Sequence, residues 1–193
     1  MLGRLPRLAP RLVVATVALC LLSPVAAQAA PVEDYASYKP QNTCTRAAKP
    51  GTVALGHWLV KHFGGGFGPT WRRCAGSSTS EHKDGRAFDW TLDAVRPGDR
   101  NRASRFLARA FATDAAGNEH ATARRMGIMY LIWNDHMYAA HDHFAKRVYL
   151  SSSCKSRKKC SKTLRHRDHL HISLSRPGGA GRTSWYDGRV PSS

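Results

Sequence analysis

The chain has 193 residues, of which 30 are Lys or Arg and 13 are Asp or Glu, so its formal net charge is +17. This length accommodates one globular domain, and five Trp, six Tyr and six Phe supply a core that a disordered polyelectrolyte lacks. The sequence has no glycine period and no second long apolar segment, which excludes collagen-like and polytopic membrane proteins.

Residues 1–29 have the pattern of a secretory signal peptide. They contain a positive n-region, an apolar h-region and small residues at the cleavage positions, namely Arg4, Arg7 and Arg11, residues 12–22, and Ala27-Gln28-Ala29. The apolar run is too short to cross about 30 Å of hydrocarbon, so we expect cleavage and no stable membrane insertion.

Cleavage after residue 29 would leave 27 basic and 13 acidic residues, a net charge of +14. Such a field attracts polyanions. Export favours peptidoglycan or an anionic cell-wall polymer as the partner, and no nucleic-acid motif accompanies the charge. We therefore expect a secreted monomer, either extracellular or associated with the cell wall, that does not bind nucleic acid specifically.

Four cysteines remain after cleavage: Cys44, Cys74, Cys154 and Cys160. An even number in an exported chain predicts two disulfides, for which three pairings are possible. We favour Cys44–Cys74 and Cys154–Cys160, because the second pair closes a short, highly charged loop that lacks a core. A zinc site of four thiolates is the alternative, but the spacings are not C-x-x-C.

The predicted elements begin after an extended lead-in, residues 30–48, and belong to a domain of residues 49–190. Apolar residues recur at helical spacing over residues 52–63, and three glycines, residues 64–66, end this helix. Residues 67–79 are rich in Gly and Ser and predict a loop held by its cysteine.

A strand over residues 87–92 follows, and Pro97 begins a second amphipathic helix. After a turn at residues 114–118 we expect a short helix that ends at Arg125. Residues 128–133 form a continuous apolar run rich in β-formers, which predicts a buried central strand.

Residues 135–167 are rich in His, Lys and Arg and predict irregular structure, whereas residues 169–174 alternate apolar and polar as in a last core strand. Trp185 and Tyr186 are expected to pack as a final anchor. Strands separated by helices of unequal length predict an α+β fold, with a small, mostly antiparallel sheet and flanking helices.

Two groups of residues have the composition of a metal site. His82 and Asp89 lie seven residues apart around a turn, and His169 and His171 share one face of the last predicted strand. If the two strands are neighbours, His82, Asp89 and one of the two later histidines can hold a single ion. Three protein ligands leave one position for water, as in catalytic rather than structural zinc sites.

Ser80, His82, Gly85, Ala87 and Asp89 form S-x-H-x-x-G-x-A-x-D. This resembles the signature of the zinc D-Ala-D-Ala carboxypeptidase/endopeptidase family, which is grouped with the lysostaphin-type peptidases and the hedgehog domain. The later Asp168-x-x-His171 resembles the second motif of that family. The resemblance implies a hedgehog/D-Ala-D-Ala peptidase-like fold, with His82, Asp89 and His171 as zinc ligands and Asp168 as general base.

The chain departs from the family pattern at two positions. Many members have Glu where this chain has Asp168, and His169 stands where others have an apolar or aromatic residue. In related wall endopeptidases an H-x-H pair supplies a ligand and a catalytic histidine. His169 is therefore expected either to bind the oxyanion or orient water, or to be a hydrogen-bond partner behind the ligands.

The substrate-binding surface is predicted to include Ser80, Arg73 and Trp133. An Arg before the first motif commonly contacts substrate in the family, and Arg72 and Arg73 are both candidates. We prefer Arg72, whose guanidinium could stabilise negative charge on the scissile carbonyl. Trp133 has an alternative place in the core, because aromatic residues of apolar strands are usually buried.

The leading hypothesis is a secreted zinc metallopeptidase acting on peptidoglycan stem peptides, as a D-Ala carboxypeptidase or a cross-link endopeptidase. The alternative is a non-catalytic, zinc-containing wall-binding domain on the same fold. A secreted nuclease has only the basic charge and the His content in its favour.

Overall fold

A computed structural model describes residues 31–45, 47–76 and 79–191. The predicted signal peptide lies outside the described residues. Within them are six strands: β1 (Gly66–Phe67), β2 (Ala87–Thr91), β3 (Ile128–Trp133), β4 (His136–Ala139), β5 (Lys146–Val148) and β6 (His169–Leu174). The helices are α1 (Pro50–Phe63), α2 (Pro97–Phe111), α3 (Ala121–Arg125) and α4 (Arg176–Gly179), with 3-10 turns at Ala140–Asp142, Arg157–Lys159 and Ser184–Tyr186.

The strands form one open sheet with the order β1-β2-β6-β3-β4-β5, and every neighbouring pair is antiparallel. The last strand in the chain therefore lies in the centre of the sheet, between β2 and β3. The predicted α+β fold with a small antiparallel sheet and flanking helices is confirmed. Among the described residues, no helix has both the length and the apolar character needed to cross a bilayer.

The two faces of the central strands differ in chemistry. On one face, apolar side chains of β2, β3 and β6 are buried in the core: Phe88, Trp90, Leu131, Trp133, Leu170, Ile172 and Leu174. The Trp90 ring packs edge-to-face on Phe63 of α1 and Phe106 of α2, so these helices cover this face. The other face carries the alternate positions of the same strands, including Asp89, His171 and Ser173, and we call it the polar face.

Residues 135–167 were expected to be irregular, and this expectation is wrong in part. They contain β4 and β5, which pair with each other, and β4 pairs with β3. Asn134 and Asp135 both have positive φ, at 47° and 66°, as in the two-residue turns that join hairpin strands. These strands lie towards the edge of the sheet, and β5 is exposed at every residue, so their polar sequence lacks the apolar pattern of a core strand.

Both predicted disulfides are present. Cys44–Cys74 joins the lead-in to the loop before the first motif, across 30 residues of sequence. Cys154–Cys160 closes a loop between β5 and β6, across only six. Trp185 and Tyr186 are buried, as expected of a C-terminal anchor.

A buried ion pair fixes the turn before β2. Arg86 Nε donates to Asp84 Oδ2 at 2.9 Å, and its two terminal nitrogens donate to the carbonyl oxygens of Leu174 and Lys39. Both side chains of the ion pair are almost fully buried. A buried pair of this kind contributes little over an apolar pair, but removing one partner leaves a charge without compensation.

We therefore predict that Arg86→Ala lowers the free energy of unfolding by about 3–5 kcal/mol, because the buried Asp84 carboxylate loses its cation. Urea unfolding measures the change. Arg157→Ala, in an exposed turn, is the control and should change stability by less than about 0.5 kcal/mol. Equal urea midpoints for Arg86→Ala and the wild type would show that the pair does not stabilise the turn.

Candidate metal centre

Three side chains of the polar face and its preceding turn converge on one point. His82 Nε2 lies 3.2 Å from Asp89 Oδ1 and 3.2 Å from His171 Nδ1, and the latter two atoms are 3.1 Å apart. These are the three ligands that the sequence predicts, and the predicted convergence is confirmed. We call these three residues the triad.

The sheet register produces this arrangement. Asp89 of β2 lies directly opposite His171 of β6, so their side chains share the polar face. His82 comes from the turn that leads into β2. Gly85 in this turn has φ of 75°, and a Cβ there would lie 2.3 Å from the Ala47 carbonyl oxygen. The motif requires glycine because the lead-in packs directly against this turn.

The triad fits a divalent cation. Around a tetrahedral ion with bonds of about 2.0–2.2 Å, neighbouring ligand atoms are about 3.3–3.6 Å apart, close to the separations in the triad. The donor set is two imidazole nitrogens and one carboxylate oxygen. The other ring nitrogen of His171 is within hydrogen-bond distance of Ser173 Oγ, at 2.8 Å, so Nδ1 is the nitrogen available to an ion.

The electrostatics of the triad also suit metal binding. Burial alone would raise the pKa of Asp89, but the adjacent imidazoles of His171 and His82 outweigh burial and hold this pKa well below its usual range. Burial lowers the pKa of His171. A charged carboxylate and a neutral imidazole are the protonation states that coordination requires.

The triad lies in a cleft of about 350 Å³. We call it the triad cleft. Its polar lining comes mainly from the turn before β2, from β6 and from the segments before β6, and includes Arg72, Ser80, Glu81, Tyr149, Ser151, Ser152, Ser153, Thr163, His166 and His169. The cleft therefore combines a possible cation site with several hydrogen-bonding groups, as expected of a site for a polar ligand.

Asp168 and His169 form a dyad beside the triad. His169 Nδ1 lies 2.7 Å from Asp168 Oδ1, and Thr163 Oγ1 donates to Asp168 Oδ2 at 2.6 Å. The other ring nitrogen of His169, Nε2, is 3.6 Å from Asp89 Oδ1. The His169 ring thus faces the triad, whereas Asp168 lies behind it, away from the lining of the triad cleft, and lines a neighbouring cleft.

The pKa of Asp168 is lowered. Burial opposes this shift, but hydrogen bonds from Thr163 and His169 outweigh it. Both carboxylate oxygens are engaged by these two residues. Asp168 is therefore arranged as an anion that orients the His169 ring.

The predicted substrate-binding residues divide between three places. Arg72 and Ser80 line the triad cleft, and the backbone N–H of Arg72 donates to the His82 carbonyl at 3.2 Å. Arg73 instead lines a separate cavity beside Cys74. Trp133 lies in the core, because odd-numbered residues of this part of β3 face the helices, and its neighbour Ile132 lines the triad cleft.

Sequence reasoning missed His166, which lines the triad cleft. Its ring centroid is 4.8 Å from that of His169 and 5.7 Å from that of His171. Its φ of 49° is uncommon for a residue other than glycine. Burial, followed by the neighbouring His171 and His169, lowers the pKa of His166 to about 3. The available signal was its spacing from the later histidines, three and five residues.

The triad generates a metal-binding prediction. His82→Ala and Asp89→Asn each remove one ligand, so each should lower the affinity for divalent cations by more than about 100-fold, beyond the effect of losing a hydrogen-bond partner of a ligand. Metal content after loading with Zn²⁺, Co²⁺ or Mn²⁺ and dialysis is measured by mass spectrometry. His141→Ala, an exposed histidine outside the triad cleft, is the control. Equal metal content in all four proteins would contradict the site.

A family model described as VldE, C-terminal domain, matches residues 44–153, which is more than half of the chain. The matched range begins at Cys44, includes His82 and Asp89, and ends before His171. No curated protein and no solved structure matches the chain. The chain belongs to the family described as VldE, C-terminal domain.

Proposed function

We propose that this protein is a secreted, zinc-dependent peptidase that hydrolyses peptidoglycan stem peptides, as a D-Ala carboxypeptidase or a cross-link endopeptidase. The observation that carries the proposal is the triad, with the His169 ring of the dyad beside it in the same cleft. The resemblance of the two motifs to the D-Ala-D-Ala peptidase signature supports the choice of substrate class.

Zinc is the proposed metal because two histidines and one carboxylate form the ligand set of several catalytic zinc sites. A bound zinc ion supplies Lewis acidity and lowers the pKa of a coordinated water towards about 7. Three protein ligands, rather than four, leave a coordination position for chemistry.

His169 is the proposed general base. Its Nδ1–H donates to the Asp168 carboxylate, which leaves Nε2 unprotonated on the side of the triad. This nitrogen accepts a proton from the attacking water and returns it to the leaving amine. Asp168 holds the His169 ring and stabilises its cationic form, as the aspartate of a serine protease does for its catalytic histidine. The resemblance assigned the base to Asp168 itself, but the engagement of both its oxygens favours His169.

Arg72 and Ser80 are the proposed substrate contacts. Both line the triad cleft, and the Arg72 backbone is tied to the His82 carbonyl, so the guanidinium originates next to a triad residue. A cation at this position stabilises the negative charge that develops on a scissile carbonyl. A hydroxyl at Ser80 can donate to a peptide carbonyl or accept from an amide.

Secretion is supported by the two disulfides, which persist in oxidising compartments outside the cytoplasm. The predicted signal peptide supports the same location. In that environment the anionic polymers of a cell wall are the expected partners of a protein with this charge.

A second candidate function is a metal-containing wall-binding module without activity. The loop closed by Cys154–Cys160 favours it, because its four basic residues Lys155, Arg157, Lys158 and Lys159 are exposed and form no ion pair with a described Asp or Glu. The like charges in this loop repel one another and do not stabilise the fold, whereas an anionic partner would be attracted to them. Ser151, Ser152 and Ser153, just before this loop, line the triad cleft.

Digestion of purified sacculi tests the proposed activity. Dialysis against a chelator, or His82→Ala, should lower the release of peptide fragments by about a hundredfold or more, because the metal-assisted step is lost. Zinc should restore the dialysed wild type but not the variant. Mass spectrometry of the fragments identifies the bond that is cut.

Two outcomes of this experiment contradict the peptidase. Activity that survives both chelation and His82→Ala would show that the triad is not required. Tight binding of the wild type to sacculi without released fragments would favour the binding module.

The dyad generates a second test. His169→Ala should lower kcat by about 10²–10⁴-fold with KM and bound metal nearly unchanged, because the base is lost and the triad remains. Asp168→Asn should also lower kcat, since the amide no longer fixes the His169 tautomer. Full activity of His169→Ala together with an inactive Asp168→Asn would instead assign the base to Asp168.

A further inference from the structure

A chain of buried hydrogen bonds begins at Nε2 of His171, the ring nitrogen that does not face His82 and Asp89. His171 Nε2 lies 2.8 Å from Ser173 Oγ, and Ser173 Oγ is 3.5 Å from Glu81 Oε2. The Tyr130 hydroxyl donates to the same Glu81 oxygen at 2.5 Å. We call Glu81, Ser173 and Tyr130 the supporting network.

The fold places these residues together for a geometric reason. His171 and Ser173 are two residues apart on β6, so they lie on the same face of the sheet. Tyr130 of β3 lies opposite Ser173 in the register of β3 and β6. Its ring stacks on the His171 ring, with the two ring centroids 5.5 Å apart. Glu81 directly precedes His82 in the chain, so one turn supplies both a triad residue and the end of the supporting network.

The Glu81 carboxylate sets the direction of the hydrogen bonds in the supporting network. Glu81, when ionised, can only accept hydrogen bonds. The Ser173 hydroxyl therefore donates to Glu81 and accepts from His171 Nε2–H. With its proton on Nε2, the neutral His171 ring has its lone pair on Nδ1, the atom that faces His82 and Asp89.

Folding alone does not explain a carboxylate at this position. Glu81 is only 3% exposed, Ser173 is fully buried, and Glu81 Oε1 has no hydrogen-bond partner among the described residues. Burying a carboxylate with one oxygen unpaired lowers stability, and an apolar side chain would avoid this cost. Because Glu81 lowers the stability of the fold, its presence in this turn indicates a functional role.

We propose that Glu81 and Ser173 are positioning residues that fix the tautomer and orientation of His171 for metal binding. The inference rests on the metal site of the proposed function. Partners of this kind behind a ligand typically change metal affinity by 10–100-fold when they are removed. Tyr130 assists by donating to Glu81 Oε2, which holds the carboxylate in place.

The test compares Ser173→Ala and Glu81→Gln with the wild type in two measurements. Competition with a chromophoric chelator should show zinc affinity about 10–100-fold weaker in each variant. In the metal-free proteins, nitrogen-15 shifts of the His171 ring should report the Nε2–H tautomer in the wild type and a loss of that preference in both variants. Glu81→Gln keeps the side-chain size, but the new amide can donate to Ser173. The direction of the hydrogen bond between Ser173 and His171 is then no longer fixed.

Ser151→Ala is the matched control, because Ser151 is a buried serine that lines the same cleft but has no described contact with His171. Its zinc affinity and His171 tautomer should equal those of the wild type. If the wild type binds zinc and both Ser173→Ala and Glu81→Gln bind it equally tightly, the positioning role is overturned and the proposed function remains intact. A wild-type chain that binds no zinc would overturn both.

Discussion

The pairing of β2 with β6 is the constraint on which the candidate site depends. It sets Asp89 opposite His171 on the polar face, and the turn before β2 brings His82 to the same point. A shift of one residue in this register would move one of the two side chains into the core. The apolar residues on the opposite face oppose such a shift, because either Phe88 and Trp90 of β2 or Leu170 and Ile172 of β6 would then face the cleft. Core packing and site geometry are thus two consequences of one register.

The polar face combines groups that reduce stability with groups that hold them. Three potential ligands are packed within 3.2 Å of one another, and beside them Glu81 is buried with one oxygen that has no hydrogen-bond partner in the described part of the chain. The ion pair of Arg86 with Asp84, and the close packing of the lead-in against Gly85, fix the turn that supplies His82. A cation bound by the triad would add the binding free energy to the stability of the folded state.

The sequence predicted much of the fold and the triad, and its failures have physical reasons. Helical spacing identified α1 and α2, a continuous apolar run identified β3, and an alternating pattern identified β6, whereas the polar strands β4 and β5 have no such pattern. In the continuous apolar run of β3, periodicity does not distinguish the two faces, so Trp133 was placed near the cleft instead of Ile132. The positions of His166, Glu81 and Ser173 close to the triad depend on tertiary packing, which short motifs do not report.

Anomalous diffraction from zinc-loaded crystals tests the central claim most directly. The account predicts one strong peak at the zinc absorption edge, about 2.0–2.2 Å from His82 Nε2, Asp89 Oδ1 and His171 Nδ1. A peak at another group of residues, or no peak in crystals of protein equilibrated with zinc, would contradict it.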